Sequence, residues 1–526
     1  MNNKSNESLT SERSAFFKKF DLLLLPIIAI AVIIRFAYFP FDIPITLDGS
    51  GYFWYAIDMS QLGHFPEGYR FPNNGWPAFL SVFFAPFNSA NFMDYMHLQR
   101  VLTVMLSVIT VVIVYLLCSR FFERRIAAVC SMLFALDPKI IINSTLGITE
   151  PLFILLGTLA LFLFLSERKR MIYASFVITG LFTLVRYEGF LLVVPLLVMF
   201  FVRFRKEKKV ILQCLIALSF FAITILPMSY IRAETTGSDG VLSHVYAGPQ
   251  YYQHVSQNSD EPADRIIANL VITGIANMIK YVGWSTIPVF LCFIPFGVYV
   301  ILKERNFKNY TLIICFIVFL LPAFYAYSRN LQETRYLFII YPIFCVVAGF
   351  TMKLLFERIN RKQLVTMTLF AIVLISSIAF LEIKKTDYEH EREAYDLAKE
   401  VVKRTSVINH SYREEFAIQD TKYYRIANIA TLEKFPVLSS TVEPIQFIET
   451  GNYDSLIDYL RFGKENGLEY LVIDNNPKQP DFLKDVFDNE EKYSFLNKEF
   501  DSQEYNYRYH VKIFKIDYGG LASNIN

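Results

Sequence analysis

The first long apolar run of the chain is Phe20 to Phe39, FDLLLLPIIAIAVIIRFAYF, which follows Lys18 and Lys19. A mostly apolar run of about 20 residues is what a helix needs to cross the hydrocarbon core of a bilayer. No small-residue cleavage site follows the run, so we interpret it as a membrane span rather than a signal peptide. Similar runs recur along the chain, in which 54% of the residues are hydrophobic and only 19% are charged. The sequence therefore predicts a polytopic α-helical membrane protein.

The apolar runs predict about eleven spans. We place them at 20–39, 98–118, 125–142, 150–166, 171–185, 187–202, 210–230, 281–302, 310–327, 336–356 and 364–382.

The polar segments between and after these runs divide the chain into domains. Residues 1–19 are a predicted N-terminal tail, and residues 20–383 a transmembrane domain with long loops at 40–97 and 231–279. Residues 384–526 have helical periodicity at 391–404 and 455–466 and strand patterns at 469–474 and 505–516. Helices that alternate with short strands predict a small, soluble α/β domain at the C-terminus.

Lysine and arginine are concentrated in one alternating set of connections, which orients the spans. These basic connections lie at 18–19, 120–125, 167–170, 203–209, 303–308 and 357–362. Because basic loops stay in the cytoplasm, the N-terminus is predicted to be cytoplasmic. An odd number of spans then makes both long loops and the C-terminal domain extracytoplasmic, in a protein of the cell membrane.

Ionisable residues near the outer membrane face are candidates for chemistry, because each is costly there without a purpose. The first is Asp48, in Leu47-Asp48-Gly49-Ser50-Gly51 after the first span. Its carboxylate could accept a proton from an acceptor hydroxyl. Asp-Gly is also a strong turn dipeptide, so a structural turn is the alternative.

A second acidic candidate, Glu150, begins the fourth predicted span, between Thr149 and Pro151. Thr149 is expected to cap this helix, and proline suits the first turn. The helix dipole alone would favour a carboxylate there. A position next to lipid is nevertheless costly unless the side chain faces a polar cavity.

Two further pairs lie on the same predicted side. Arg186 and Glu188 separate two spans, and Arg335 and Tyr336 begin a late span. Either arginine could clamp a phosphate, since a guanidinium matches phosphate oxygens in a bidentate fork. The alternatives are mutual neutralisation of the first pair, and a snorkelling arginine beside an interfacial tyrosine for the second.

These motifs lie on one predicted side of the membrane. In this placement and in their order along the chain, they resemble those of the polyprenyl-phosphate-dependent membrane glycosyltransferases of the C-type fold. The closest group is the protein O-mannosyltransferase and aminoarabinose transferase family, and the resemblance covers about residues 15–385. The resemblance implies that Asp48 is the general base and that Glu150 lies near the donor or acceptor. It implies that Arg186 and Arg335 lie near the lipid phosphate, with Glu188 and Tyr336 beside them in the substrate site.

The sequence departs from the family pattern at two places. The paired acidic residues often found after the first span are Asp48-Gly49 here, so a role that needs a second carboxylate there is in doubt. The Trp-Trp-Asp type of motif of oligosaccharyltransferases is absent, since Trp54, Trp76 and Trp284 stand apart. Transfer of a whole oligosaccharide to asparagine is therefore disfavoured.

The implied function is transfer of a sugar, with inversion, from a polyprenyl-phosphate donor to an acceptor hydroxyl on a protein, lipid or glycan. Membrane lipids are expected partners, and the net charge of only +2 gives no reason to expect a nucleic acid. The six cysteines lie in apolar segments, which argues against a cysteine metal site. No cofactor is assigned, although the chemistry is compatible with a divalent cation.

Three other functions fit a polytopic chain with an outer domain. A transporter or flippase usually carries ionisable residues near the bilayer midplane and repeated halves, neither of which is evident here. A polysaccharide polymerase or ligase would be expected to depend on arginine-rich outer loops rather than on an acidic base. A non-catalytic membrane scaffold is the third alternative.

Overall fold

The structure is a computed structural model that describes residues 23–45, 48–66, 69, 71–89, 92–246, 250, 263–385, 388–404, 407–409, 446–448, 453–475 and 479–525. The predicted N-terminal tail, 1–19, lies outside these ranges. By the density of its contacts the chain divides into two units. The first, the membrane unit, comprises Met1–Phe39, Phe65–Phe79 and Arg100–Lys385, and the second comprises Pro40–His64, Leu80–Gln99 and Thr386–Asn526.

Helices dominate the described part of the chain. In chain order they are α1 (Leu24–Ala37), α2 (Asp48–Leu62), α3 (Gly75–Phe84), α4 (Phe92–Cys118), α5 (Arg124–Ala135), α6 (Pro138–Ser144), α7 (Glu150–Phe164), α8 (Lys169–Val185), α9 (Val193–Phe204), α10 (Val210–Thr236), α11 (Ala263–Ser285), α12 (Ile294–Lys303), α13 (Phe307–Ser328), α14 (Tyr341–Arg358), α15 (Lys362–Ile383), α16 (Glu389–Arg404), α17 (Leu456–Glu465), α18 (Asp481–Asp488) and α19 (Tyr518–Ile525). Two 3₁₀ helices, Tyr187–Leu192 and Thr334–Ile340, lead directly into α9 and α14.

Seven helical segments among the described residues are long and apolar enough to cross a membrane, or eight if the bent pair α5 and α6 is one span. Four further apolar helices, α1, α3, α7 and α12, are shorter. The prediction of a multi-pass helical membrane protein is confirmed, whereas the number eleven stays a prediction. Residues 136–138 explain the 58° bend between α5 and α6: Asp137 caps α6 by accepting from the N–H of Lys139 (3.0 Å), and Pro138 fits its first turn.

One predicted boundary is wrong. Residues 231–279 were expected to form an outer loop before a span at 281–302, but α11 begins at Ala263 and ends at Ser285. The helix then breaks, and α12 starts only at Ile294 with Pro295 in its first turn. Proline removes a backbone donor and clashes with the preceding turn, so Pro288 and Pro295 interrupt the apolar run that the sequence suggested was continuous.

The C-terminal residues of the second unit contain the predicted small α/β domain. Its five-stranded sheet has the order β2-β1-β3-β5-β4, with strands β1 (Val407–Asn409), β2 (Gln446–Ile448), β3 (Tyr470–Asp474), β4 (Leu496–Asp501) and β5 (Val511–Ile516). β1 pairs in parallel with β2 and β3, and β5 pairs antiparallel with β3 and β4. Apolar residues of α17, β3 and β5 form its buried core, so the predicted fold class is confirmed here.

Candidate active site

Three helix ends in the membrane unit position the predicted site residues. Glu150 is the first residue of α7 and is buried, with 2% of its surface exposed. Arg186 follows the last residue of α8 in an extended conformation, and Glu188 lies in the 3₁₀ helix that comes next. Arg335 and Tyr336 lie in the 3₁₀ helix that precedes α14.

Arg186 joins the two acidic residues. Its Nη1 lies 2.8 Å from Oε1 of Glu150, and its Nη2 lies 3.0 Å from Oε1 of Glu188. The side chains are poorly exposed, at 14% for Arg186, 3% for Glu150 and 17% for Glu188. A charged group that is shielded from water must be paired to be tolerated, and here one guanidinium serves two carboxylates. The cluster therefore carries one negative charge in excess.

Thr149 does not cap α7 through its side chain, so that prediction is wrong. Its hydroxyl instead donates to Oε2 of Glu150 at 3.3 Å and accepts from Nη1 of Arg186 at 3.4 Å. The charged neighbours attract the hydroxyl more strongly than a backbone N–H, because hydrogen bonds to ionised groups are stronger than neutral ones.

A concavity lies around this cluster, with about 480 Å³ of empty space that includes open solvent, and we call it the Glu150 pocket. It brings together five of the six predicted site residues. Its lining is Glu150, Phe153, Ile154, Arg186, Glu188, Val318, Phe319, Pro322, Arg335, Tyr336, Phe338 and Ile339. The polar groups come from α7, from the end of α8 and from the 3₁₀ helix Thr334–Ile340. They face an apolar wall that is formed by α13 and the same 3₁₀ helix. A few convergent polar groups in a mostly apolar concavity are typical of a ligand site.

Arg335 is held less tightly than Arg186. It forms an ion pair with Glu333, whose side chain is 53% exposed. Its guanidinium lies 5.8 Å from the centre of the Tyr336 ring, and that ring meets Tyr327 edge to face at 6.1 Å. Partly exposed ion pairs contribute little free energy, so an incoming anion can replace Glu333 at modest cost.

Asp48 belongs to the second unit. It is exposed and is the first residue of α2, so the alternative of a tight Asp-Gly turn is wrong. The positive end of the helix dipole stabilises a carboxylate at this position. Behind it, Gln99 donates to the carbonyl oxygen of Gly49 at 3.2 Å, and Tyr52 and Phe53 are buried. α2 is thereby anchored, while its first residue presents a carboxylate at the surface.

Sequence reasoning missed the apolar wall and the partner of Arg335. Phe319 and Pro322 lie in the middle of an apolar helix, where the sequence does not distinguish a pocket from lipid. Phe153 stacks on Phe182 with ring centres 4.0 Å apart, and the Arg186 guanidinium lies 5.5 Å from the Phe153 ring. Glu333 lies only two residues before Arg335, so the sequence already indicated that the two side chains could pair.

Comparisons with known proteins bear on the fold and the family resemblance. Residues 79–231 match the family model described as dolichyl-phosphate-mannose-protein mannosyltransferase. ArnT from Cupriavidus metallidurans, solved bound to undecaprenyl phosphate, is similar with a TM-score of 0.54 at 11% identity over 93% of this chain and 97% of that chain. No curated protein sequence matches the chain.

An archaeal oligosaccharyltransferase has a similar fold. The Archaeoglobus fulgidus enzyme, solved in complex with Zn and sulfate, has a TM-score of 0.53 at 13% identity over 85% of this chain and 68% of that chain. Its structure with an inhibitory peptide and a dolichol-phosphate has a TM-score of 0.51 at 13% identity over 87% of this chain and 70% of that chain. At such identities the likeness establishes a shared fold, and together with the family match it confirms the predicted resemblance.

A divalent cation does not fit the carboxylates of the Glu150 pocket as they stand. Glu150 and Glu188 both turn an oxygen to Arg186, which places a positive charge where a cation would have to bind. Among the described residues there is no group of three or more His, Cys, Asp or Glu side chains that could hold a metal ion.

Proposed function

We propose that this protein is a membrane glycosyltransferase that moves a sugar from a polyprenyl-phosphate donor to an acceptor hydroxyl, with inversion, at the outer membrane face. One observation carries the proposal. The matched segment, residues 79–231, contains Glu150, Arg186 and Glu188, which the fold gathers in one pocket. A family match over surface loops alone would say little about chemistry, whereas this one covers three of the five polar residues of the pocket.

Asp48 is the proposed general base. Its carboxylate accepts the proton of the acceptor hydroxyl while that oxygen attacks the anomeric carbon from the face opposite the phosphate. The bond from the anomeric carbon to the phosphate oxygen breaks, and the lipid monophosphate leaves with the electron pair. Attack from the opposite face inverts the configuration of the sugar. Proton transfer of this kind is typically worth roughly 10²–10⁴-fold in rate.

Arg335 is the better placed of the two arginines to receive the departing phosphate. Both carboxylate contacts of Arg186 are short and shielded, whereas Arg335 is paired with an exposed glutamate. A positive group that is already in position where charge develops lowers the barrier without reorganisation. We assign to Arg186 the positioning of Glu150 and Glu188, with any phosphate contact of its own secondary.

Glu150, Glu188 and Tyr336 are the proposed contacts to the sugar and its linkage. Carboxylate oxygens accept hydrogen bonds from sugar hydroxyls, and the excess negative charge of the Arg186 cluster makes them strong acceptors. The apolar wall, which includes Phe319 and Phe338, suits the first isoprene units of the carrier. Anchoring of the carrier in the membrane supplies much of the positioning.

The proposal includes the orientation and the domain division predicted from the sequence. Residues 1–19 are cytoplasmic, 20–383 form the catalytic membrane domain, and 384–526 lie outside the cytoplasm. The acceptor is a hydroxyl of a protein, lipid or glycan. A reporter that is active only in the cytoplasm, fused after Asn526, is expected to be silent, and an active reporter would contradict this orientation.

The decisive experiment measures transfer from radiolabelled polyprenyl-phosphate sugars by the purified protein. Wild type is compared with Asp48→Asn and with Asp42→Asn, a matched control that removes an exposed carboxylate of the same unit, paired with Arg392. We expect transfer by wild type and Asp42→Asn, and at least about a 100-fold loss in Asp48→Asn.

Each other outcome rejects a defined part of the proposal. Equal transfer by wild type and Asp48→Asn would reject the base. Retention of configuration in the product would reject single displacement. Movement of the labelled lipid across a vesicle membrane without transfer would favour the transporter.

A further inference from the structure

A second pocket of the membrane unit has no part in the proposed reaction. It has about 1120 Å³ of space between atoms, and we call it the Arg120 pocket. It lies where α4, α7, α9 and α12 end and where α13 begins, with Phe350 and Lys353 of α14 beside them. Its lining is Arg120, Phe121, Glu167, Arg203, Glu304, Asn306, Phe307, Lys308, Asn309, Phe350 and Lys353.

The charges of this lining are unbalanced. Four basic side chains face two acidic ones, and both glutamates are already paired. Glu167 lies 3.2 Å from Arg203, and Glu304 lies 3.4 Å from Lys353. Two positive charges are therefore left over in one concavity.

Arg120 and Lys308 are the cations that lack a carboxylate. Neither forms an ion pair with any residue that the structure describes. Nζ of Lys308 donates to the carbonyl oxygen of Arg120 at 2.8 Å, which holds the two residues together. Like charges held close together repel each other, so an anion bound between them would be stabilised by both.

The surroundings of Arg120 favour the binding of a hydrogen-bond acceptor. Its guanidinium lies over the Phe162 ring at 4.4 Å, and its Nε is buried with no hydrogen-bond partner in the described part of the chain. A buried donor without an acceptor is costly. Burial lowers the pKa of Arg120 below its ordinary value, and the charge of Glu167 only partly opposes this.

The position of the pocket relative to the membrane indicates which kind of anion binds there. Three of its four basic residues, Arg120, Arg203 and Lys308, belong to the connections 120–125, 203–209 and 303–308, which the proposed orientation places on the cytoplasmic side. The cytoplasmic leaflet holds anionic phospholipids, and basic pockets between membrane helices on this side can bind their headgroups. Phe121, Phe307 and Phe350 provide apolar surface beside the cations, which suits the glycerol and upper acyl region of a lipid.

We propose that the Arg120 pocket binds the phosphodiester headgroup of an anionic phospholipid of the cytoplasmic leaflet, with Arg120 and Lys308 as the phosphate ligands. This site is separate from the donor site, and its test does not depend on transferase activity. Bound there, the lipid would link the ends of five helices of the membrane unit and stabilise their packing.

The test uses the full chain in nanodiscs of phosphatidylcholine, to which phosphatidylglycerol is added in steps. The thermal unfolding midpoint reports binding, and native mass spectrometry counts retained lipids. Wild type is compared with Arg120→Gln and with Arg205→Gln, a matched control on the same basic face. Arg205 is exposed and does not line the pocket, so it removes the same charge without touching the site.

We expect phosphatidylglycerol to stabilise wild type and Arg205→Gln alike. Arg120→Gln should bind about five- to tenfold more weakly, the effect of roughly one lipid-facing cation. Lys308→Gln should behave like Arg120→Gln, and it serves as the test variant if Arg120→Gln does not fold. Equal responses of all four proteins would overturn the site. Equal stabilisation by inorganic phosphate in neutral nanodiscs would overturn the assignment to a lipid.

Discussion

The two pockets of the membrane unit lie at different positions along the same helices, and their charged side chains are paired to different extents. α7 begins with Glu150 in one pocket, and Glu167, just beyond its end, lines the other. α13 begins with Phe307 in the Arg120 pocket and contributes Phe319 to the Glu150 pocket.

In the Glu150 pocket two glutamates pair with one arginine, and all three side chains are shielded from water. In the Arg120 pocket the pairs are more exposed and two cations are left over. Charges that pair with one another while shielded from water are typical of a site that must keep a fixed geometry. Uncompensated charges at a membrane surface are typical of a site that waits for a ligand. The difference has measurable consequences.

Removal of the central arginine should separate the two pockets most clearly. Arg186→Ala leaves two shielded carboxylates without a partner, which we expect to cost about 3–5 kcal/mol of unfolding free energy. Lys353→Ala in the Arg120 pocket removes the partner of Glu304 from a pair whose side chains are 42% and 41% exposed, and should cost about 1 kcal/mol or less. Thermal unfolding in detergent measures both, and equal losses would contradict the comparison.

The two carboxylates of the Glu150 pocket should differ in the same sense. Glu150→Gln keeps a hydrogen-bond acceptor for Arg186 but loses the charge, and we expect a cost of about 1–3 kcal/mol. Glu188→Gln should cost less, because Glu188 is 17% exposed and Glu150 only 3%. A larger loss for Glu188→Gln in the same unfolding assay would show that exposure does not rank these charges.

The packing behind the Glu150 pocket gives a smaller effect. A Cβ at Gly157 would lie 2.8 Å from Cδ1 of Ile339 and 3.0 Å from Cε2 of Phe182, so Gly157→Ala should destabilise by about 1–2 kcal/mol. Gly283→Ala is the control, since a Cβ there meets nothing within 4 Å. That control should be neutral or stabilise by about 0.4–1 kcal/mol, since alanine restricts the unfolded chain. A neutral result at both positions would mean that the pocket wall yields easily.

Salt should produce the smallest difference. The pair of Arg203 with the exposed Glu167 is worth roughly 0.2–1 kcal/mol, and ionic strength near 1 M shortens the screening length to about 3 Å. A double-mutant cycle with Arg203→Gln and Glu167→Gln should therefore show a coupling that fades with salt. The coupling of Arg186 to Glu150, measured in the same way, should persist. Loss of both couplings would imply that water reaches the Glu150 pocket freely.

Local patterns carried much of what could be predicted. Run length and composition predicted a membrane protein. Alternation of helix and strand patterns predicted a C-terminal α/β domain, and the strand patterns at 469–474 and 505–516 contain β3 and β5, whereas β1, β2 and β4 were not predicted. These properties are local, because each span or strand must match its own surroundings over consecutive residues. Glu150, Arg186, Glu188, Arg335 and Tyr336 could be named individually for the same reason, since a polar residue at the end of an apolar run is visible in the sequence.

Which of these residues contact one another depends on the tertiary structure. The pairing of Arg186 with Glu150 joins positions 36 residues apart, and it depends on how α7 and α8 pack side by side. The same packing diverted Thr149 from its expected cap, and proline breaks rather than hydropathy set where α11 ends and α12 begins. The kind of protein and the polar residue types at the ends of its helices follow from the sequence alone. Long-range packing decided their partners, because free energy of pairing in a shielded site depends on distances that no local pattern encodes.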